Sequence, residues 1–188
     1  MKLTTTCLAL LLPVFLAGCE TLTPAECATA NWRQLGQQDG SRGVVDRAAG
    51  FFKSCSKANI PVDVASYRAG RAEGLQSHCL LGNALAEGMA GKPYADVCPA
   101  PTNQSFKNVH DVALREFNAR KNMERLQREQ QKLQNELADS KTANDRKATI
   151  RELLSRSDRD MRNAREELRI SQFELDRMRN DLRLRGLY

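Results

Sequence analysis

The chain has 188 residues, with 29 Lys+Arg against 23 Asp+Glu, a formal charge of +6 and a sequence pI near 9.1. Aromatic residues are 5% and charged residues 28%, which excludes a large aromatic-rich core and favours an all-α chain of helices with solvated faces. The length admits one compact domain plus an extended element, not two full domains. The basic excess is localised: Cys19 to Phe106 holds 8 Lys+Arg and 8 Asp+Glu, whereas Lys107 to Tyr188 holds 20 and 15. Any polyanion reading must therefore rest on the C-terminal part.

Lys2 supplies a positive start, and Leu3 to Ala17 form an apolar stretch interrupted by Pro13. A transmembrane helix needs about 20 apolar residues, so this stretch reads as an export signal and not as a permanent span. Leu16-Ala17-Gly18-Cys19 closes it in the pattern of a lipobox, which predicts removal of residues 1–18 and lipidation of Cys19. Two or three acyl chains, at about 0.8 kcal/mol per buried methylene, would anchor the mature protein to a membrane. Glu20 stands where an aspartate would resemble an inner-membrane retention signal, which predicts the periplasmic face of the outer membrane.

Once Cys7 leaves with the signal and Cys19 takes lipid, Cys27, Cys55, Cys79 and Cys98 remain. An even number of cysteines in an exported chain predicts two disulfides. Zinc ligands come in close pairs, whereas the gaps here are 28, 24 and 19, so no metal is expected. Thr23-Pro24-Ala25-Glu26 is a capping box with Pro at the first helical position, starting a helix at Pro24 that runs toward Gly36. A second helix is predicted over Val44 to Lys57, and antiparallel packing of the two favours Cys27–Cys55. Asp63 caps a third helix that runs to about Cys79, to which Cys98 would return.

Glycines punctuate this segment, and Gly36-x2-Asp39-Gly40 and Gly70-x2-Glu73-Gly74 share one form, a hint of internal repetition. A phosphate-binding loop is disfavoured, because no strand precedes Gly36 and no Lys-Ser/Thr follows. The set Trp32-x3-Gly36-x2-Asp39-Gly40, Cys55, Tyr67-x2-Gly70-x3-Gly74-Leu75-x3-Cys79 and Gly88-x2-Gly91-x2-Tyr94-x3-Cys98 resembles the bacterial lipoprotein family called domain of unknown function 2799. The resemblance covers roughly Cys27 to Phe117. It implies an exported, disulfide-bonded envelope protein without an established activity, and it marks Trp32, Asp39, Tyr67 and Tyr94 as candidate binding residues. After Phe106 the family pattern resembles Tyr-x2-Gly, where this chain has His110 and Ala113.

Beyond Pro99-Ala100-Pro101, no Pro or Gly occurs between Thr102 and Arg185. Leu154, Met161, Leu168, Leu175 and Leu182 recur every seven residues, with Ile150, Ser157, Ala164, Ser171 and Met178 as a companion stripe, the signature of a coiled-coil seam. Met123, Leu126, Leu133 and Leu137 form an earlier seam that does not continue smoothly into it. A hairpin follows: a helix from about Ser105 to Asp139, a turn near Ser140 to Asp145, and a return helix to about Leu184, with Thr149 to Glu152 offering a further capping box. The alternative is one continuous rod paired between molecules.

These features divide the chain into a signal (1–18), a disulfide-bonded glycine-rich helical head (19–101) and a coiled-coil hairpin (102–188). Neither His78 nor His110 lies in a catalytic or ligand spacing, and no serine lies in G-x-S-x-G, so no catalytic residue and no cofactor are expected. Alternating charges on the coil predict intrahelical ion pairs, and the scarcity of aromatics argues against nucleic acid. The expected role is a non-enzymatic envelope lipoprotein whose coiled coil binds an envelope protein or self-associates. An anionic envelope polymer is a further candidate partner of the basic coil; the alternatives are a module binding peptidoglycan, lipid or another envelope glycan, and, third, an envelope hydrolase using Asp39 or Glu73.

Overall fold

The structure is a computed structural model that describes residues 22–187. The signal segment and Cys19 lie outside the described residues. Seven helices are described: α1 (Pro24–Thr29), α2 (Trp32–Ser41), α3 (Ala48–Cys55), α4 (Val64–His78), α5 (Leu81–Met89), α6 (Thr102–Ala138) and α7 (Asn144–Leu184), with a 3-10 turn at Ser56–Ala58. No strand is present among the described residues, and no helix among them is long and apolar enough to cross a membrane.

The capping box opens α1 as the sequence predicts: Glu26 N donates to Thr23 Oγ1 at 3.3 Å, and Thr23 N donates to Glu26 Oε2 at 2.7 Å. The helix does not run on toward Gly36, however. Asn31 accepts from Gln34 N at 3.1 Å and caps a separate α2, because a side-chain acceptor ahead of Trp32 satisfies a new set of orphan donors. The second predicted helix is also shorter. Gly43 has φ +67°, and Arg71 Nη2 holds the Val44 carbonyl at 2.8 Å, so the chain stays extended there and α3 starts only at Ala48. Asp63 caps α4 as expected, accepting from Ser66 N at 2.9 Å.

The head is organised by contact between α2 and α4. A Cβ on Gly36 would sit 1.9 Å from the Tyr67 carbonyl oxygen, and one on Gly70 would sit 1.9 Å from that of Arg33. Gly40 and Gly74 face the Arg71 and Gln37 carbonyls at 2.2 Å in the same sense. The two helices therefore run parallel and touch through backbone, with glycine Cα–H groups against carbonyl oxygens. The matching G-x-x-[DE]-G segments are the two faces of this one crossing.

The repetition in the head is of another kind. In the first unit, α2, a crossover containing α3, and α4 form a parallel pair; in the second, α5, the loop to Pro101, and the start of α6 do the same. Gly88 packs under the His110 carbonyl and Ala113, as Gly40 packs under α4. Gly43 and Gly91 end the first helix of each unit at φ +67° and +70°, covered by the His78 and Phe117 rings respectively. Arg71 binds the Val44 carbonyl in one unit, and His110 Nε2 lies 2.8 Å from the Lys92 carbonyl in the other. Each unit has one disulfide, Cys27–Cys55 or Cys79–Cys98, tying the segment before its first helix to its crossover. Each bond stabilises its unit by about 3 kcal/mol in the chain-entropy account. Ala113 stands at the place where the sequence departs from the family pattern, and its methyl fills the second crossing against Gly88.

The predicted hairpin is present, with its turn at 139–143 in place of a continuous rod. Thr142 Oγ1 donates to the Glu136 carbonyl at 2.7 Å and Arg146 bridges Glu136 at 2.6 Å, which pins the reversal. The helix α7 starts at Asn144, so the Thr149 to Glu152 box lies inside it, and Thr149 Oγ1 instead bonds the Asp145 carbonyl at 3.2 Å. With 37 and 41 residues, the arms measure about 55 and 60 Å. Met123 and Leu126 meet Met161 and Ala164 along the arm, while Leu175 and Leu182 enter the head core with Leu85, Phe106 and Val109. The end of α7 thus completes the second unit.

Substituting Gly36 or Gly70 by Ala should cost about 2 to 4 kcal/mol, since backbone and not a movable side chain blocks the methyl. Gly50 in α3 has nothing within 4 Å of such a methyl, so Gly50→Ala should instead gain up to about 1 kcal/mol. Urea unfolding of the oxidised chain separates the two outcomes.

Candidate functional site

The candidate residues of the first unit converge on one buried carboxylate. Asp39 projects from α2 and is 2% exposed; Tyr67 projects from α4 and is fully buried. The Tyr67 hydroxyl donates to Asp39 Oδ2 at 2.8 Å, Arg47 Nε donates to the same oxygen at 2.9 Å, and Arg47 N donates to the Tyr67 oxygen at 3.1 Å. Arg47 Nη2 takes Asp39 Oδ1, and its guanidinium stacks over Phe51. Trp32 joins through Phe51, with ring centroids 5.8 Å apart. Burial pushes the Tyr67 hydroxyl up to about 12, so it remains a proton donor at every physiological pH.

Tyr94 does not join this cluster. It serves the second unit, where its hydroxyl donates to Asn103 and accepts from Cys98 N at 3.0 Å, and its ring lies 4.6 Å from that of Phe106. The four candidates thus separate into two polar joints, each locking a crossover to its parallel helices. Glu73 is ion-paired with Arg33 on the surface between α2 and α4, the counterpart of the Asp39–Tyr67 bond across the same crossing. Both carboxylates considered for hydrolysis are therefore engaged in holding α2 to α4.

Sequence reasoning left out Arg47, Asn103 and the setting of His78. The last lies where the units meet: its ring covers Gly43 of the first, and approaches Phe106 at 5.3 Å and Glu87 at 3.8 Å in the second. Gly43-x3-Arg47 was visible in the chain, but only the fold brings Arg47 back over Asp39. Between α1, α2 and α3 lies a depression of about 250 Å³ lined by Leu22, Glu26, Asp39, Arg42, Arg47 and Phe51. On the arm, a second depression of about 390 Å³ is lined by Val112, Arg115, Phe173, Arg177 and Met178.

Residues 31–115 match the family described as "Protein of unknown function (DUF2799)". This segment is similar to that family. No curated protein and no solved structure matches the chain. The matched segment begins at the cap of α2 and ends in α6, so it takes in the helix pairs of both tandem units and leaves most of the hairpin outside.

Two measurements probe the joints of the matched segment. Asp39→Ala strands the buried Tyr67 hydroxyl and removes the carboxylate from Arg47, and should cost about 3 to 5 kcal/mol in chemical denaturation. Burial holds the His78 pKa below the ordinary 6.5, with Lys92 acting the same way and Glu87 opposing. The unfolded chain then takes up this proton first as the pH falls. Stability is full above about pH 6.5 and is lost below it until the folded-state pKa is reached. His78→Gln should flatten the decline in melting temperature between pH 7 and pH 5 relative to the parent.

Proposed function

We propose that this is a lipid-anchored protein of the cell envelope, without catalytic activity of its own, that holds its head at the membrane and engages a protein partner with its helical arm. The lipobox ending at Cys19 supports the anchor, and Glu20 supports the periplasmic face of the outer membrane as its location. Two disulfides suit an oxidising compartment.

The observation that carries the interaction reading is how the arm spends its apolar residues. The heptad seam of α7 is buried within the chain: Ile150, Met161, Leu175 and Leu182 are 0 to 4% exposed. Ile170 and Phe173, on the outward side of α7, are 47% and 67% exposed, beside the Val112–Met178 depression. An aromatic ring at a shallow recess where Val112 and Met178 lie beside Arg177, Asp181 and the Arg115–Glu174 ion pair combines apolar and charged groups in the manner of a protein contact. Because α7 is fixed in the head core, this patch is held in a set position and binding need not order it.

Labelling with radioactive palmitate should mark the parent chain and not Cys19→Ala, which should also leave the membrane fraction. A photocrosslinking residue placed at Phe173 should give a discrete adduct in cells, and one at the buried Leu175 should give none. Retained labelling of Cys19→Ala would dismiss the anchor, and equal adducts from both positions would dismiss the arm patch. Co-sedimentation of the head alone with purified wall would favour a glycan-binding module instead.

A further inference from the structure

We propose that the outward face of α3 and of the 3-10 turn that follows it, formed by Phe52, Lys53 and Lys57, is the surface by which the head rests on an anionic phospholipid bilayer. The inference rests on the lipid-anchor reading and adds to it which side of the head meets the membrane. Cys19 stands three positions before Leu22, and three residues reach at most about 10 Å. Leu22 packs on the cluster of Ala48, Phe51 and Tyr67, so the tether emerges beside α3. Cys27–Cys55 then ties α1 to the end of the same helix, with Cα atoms 5.7 Å apart. A lipid on Cys19 brings the bilayer to within one short span of this helix.

The two faces of α3 differ sharply. Ala48, Phe51 and Cys55 are buried, while Phe52 is 61% exposed and Lys53 and Lys57 are exposed. From Ala48 to Ala58 the chain carries these two lysines and no acidic residue. Of the neighbouring carboxylates, Asp46 is paired with Arg68 at 2.9 Å and Asp39 with Arg47, while Glu26 on α1 is held by the Thr23 capping box. An aromatic ring flanked by lysines can insert at the headgroup boundary while the ammonium groups meet phosphate. This contact adds a second, salt-sensitive signal to the acyl chains and fixes the direction in which the arm leaves the membrane.

The test uses the full lipidated chain in a Trp32→Phe background, reconstituted into vesicles of phosphatidylethanolamine and phosphatidylglycerol with brominated acyl chains. Flotation reads the anchor; tryptophan fluorescence reads the face. Phe52→Trp should be quenched at least twofold more than Phe173→Trp, and the difference should shrink in Lys53→Glu/Lys57→Glu or at high salt. A chain that floats without quenching at position 52, or with stronger quenching at position 173, overturns the α3 face and leaves the anchor standing. A chain that does not float overturns both. Should the Trp32→Phe background fail to fold, a lipid-photocrosslinking residue at position 52 or 173 of the otherwise native chain gives the same discrimination.

Discussion

The head depends on one backbone contact. Along α2 the only large apolar side chains are Trp32 and Leu35, too few to bury a conventional stripe. Gly36 and Gly40 remove the side chains altogether, and Gly70 and Gly74 do so on α4, so the two helices approach until carbonyl oxygens meet Cα hydrogens. Small residues four apart serve this purpose in membrane helices, where apolar burial cannot drive association. Here they let a polar sequence contribute a core helix. Everything else in the first unit flanks that contact: Arg33–Glu73 on one side, and Asp39 with Tyr67 and Arg47 on the other.

A unit built on so close a backbone contact has little apolar volume of its own, and the architecture compensates in two ways. Each unit carries a cystine that ties the segment before its first helix to its crossover, which limits the freedom of the crossover in the unfolded chain. The second unit also borrows from the arm. Leu175 and Leu182 close the core around Phe106 and Ala113, and Arg179 Nη2 reaches Met89 Sδ at 3.1 Å. The hairpin is therefore continuous with the head at its base, while its outer half holds together through Met123, Leu126, Met161 and Ala164 and many surface ion pairs. Such pairs contribute only a few tenths of a kcal/mol each, so the arm tip opens more readily than its base.

The same arrangement separates apolar residues that hold the fold from those left for contacts. Seam residues face inward on both arms, Met123 and Leu126 against Met161 and Ala164. The large apolar side chains left exposed among the described residues are Val45, Phe52, Leu80, Ile170, Phe173, Leu184 and Leu187; of these, Phe52 stands with its lysines on the first unit, and Ile170 and Phe173 lie on the arm. In the proposed picture the first meets lipid and the second meets protein, which gives the molecule a fixed orientation between a membrane and a partner.

The sequence by itself determined the all-helical class, the caps of α1 and α4, the hairpin and the two disulfides, but not α5, which no cap or heptad marks. These are local properties: Thr23 and Asp63 cap their own helices, a Pro- and Gly-free run of leucine heptads can only be helical, and neighbouring helices pair neighbouring cysteines. Lengths were less legible where tertiary bonds intervene, as at Asn31, which starts a second helix, and at Val44, which Arg71 holds extended. Only the tertiary structure decided that the two G-x-x-[DE]-G segments face each other, that Asp39 and Tyr67 share a proton donor network with Arg47 while Tyr94 serves another unit, and that the α7 seam is spent on the chain itself. Those outcomes depend on which surfaces approach across tens of residues, and a one-dimensional spacing carries the residues but not the approach.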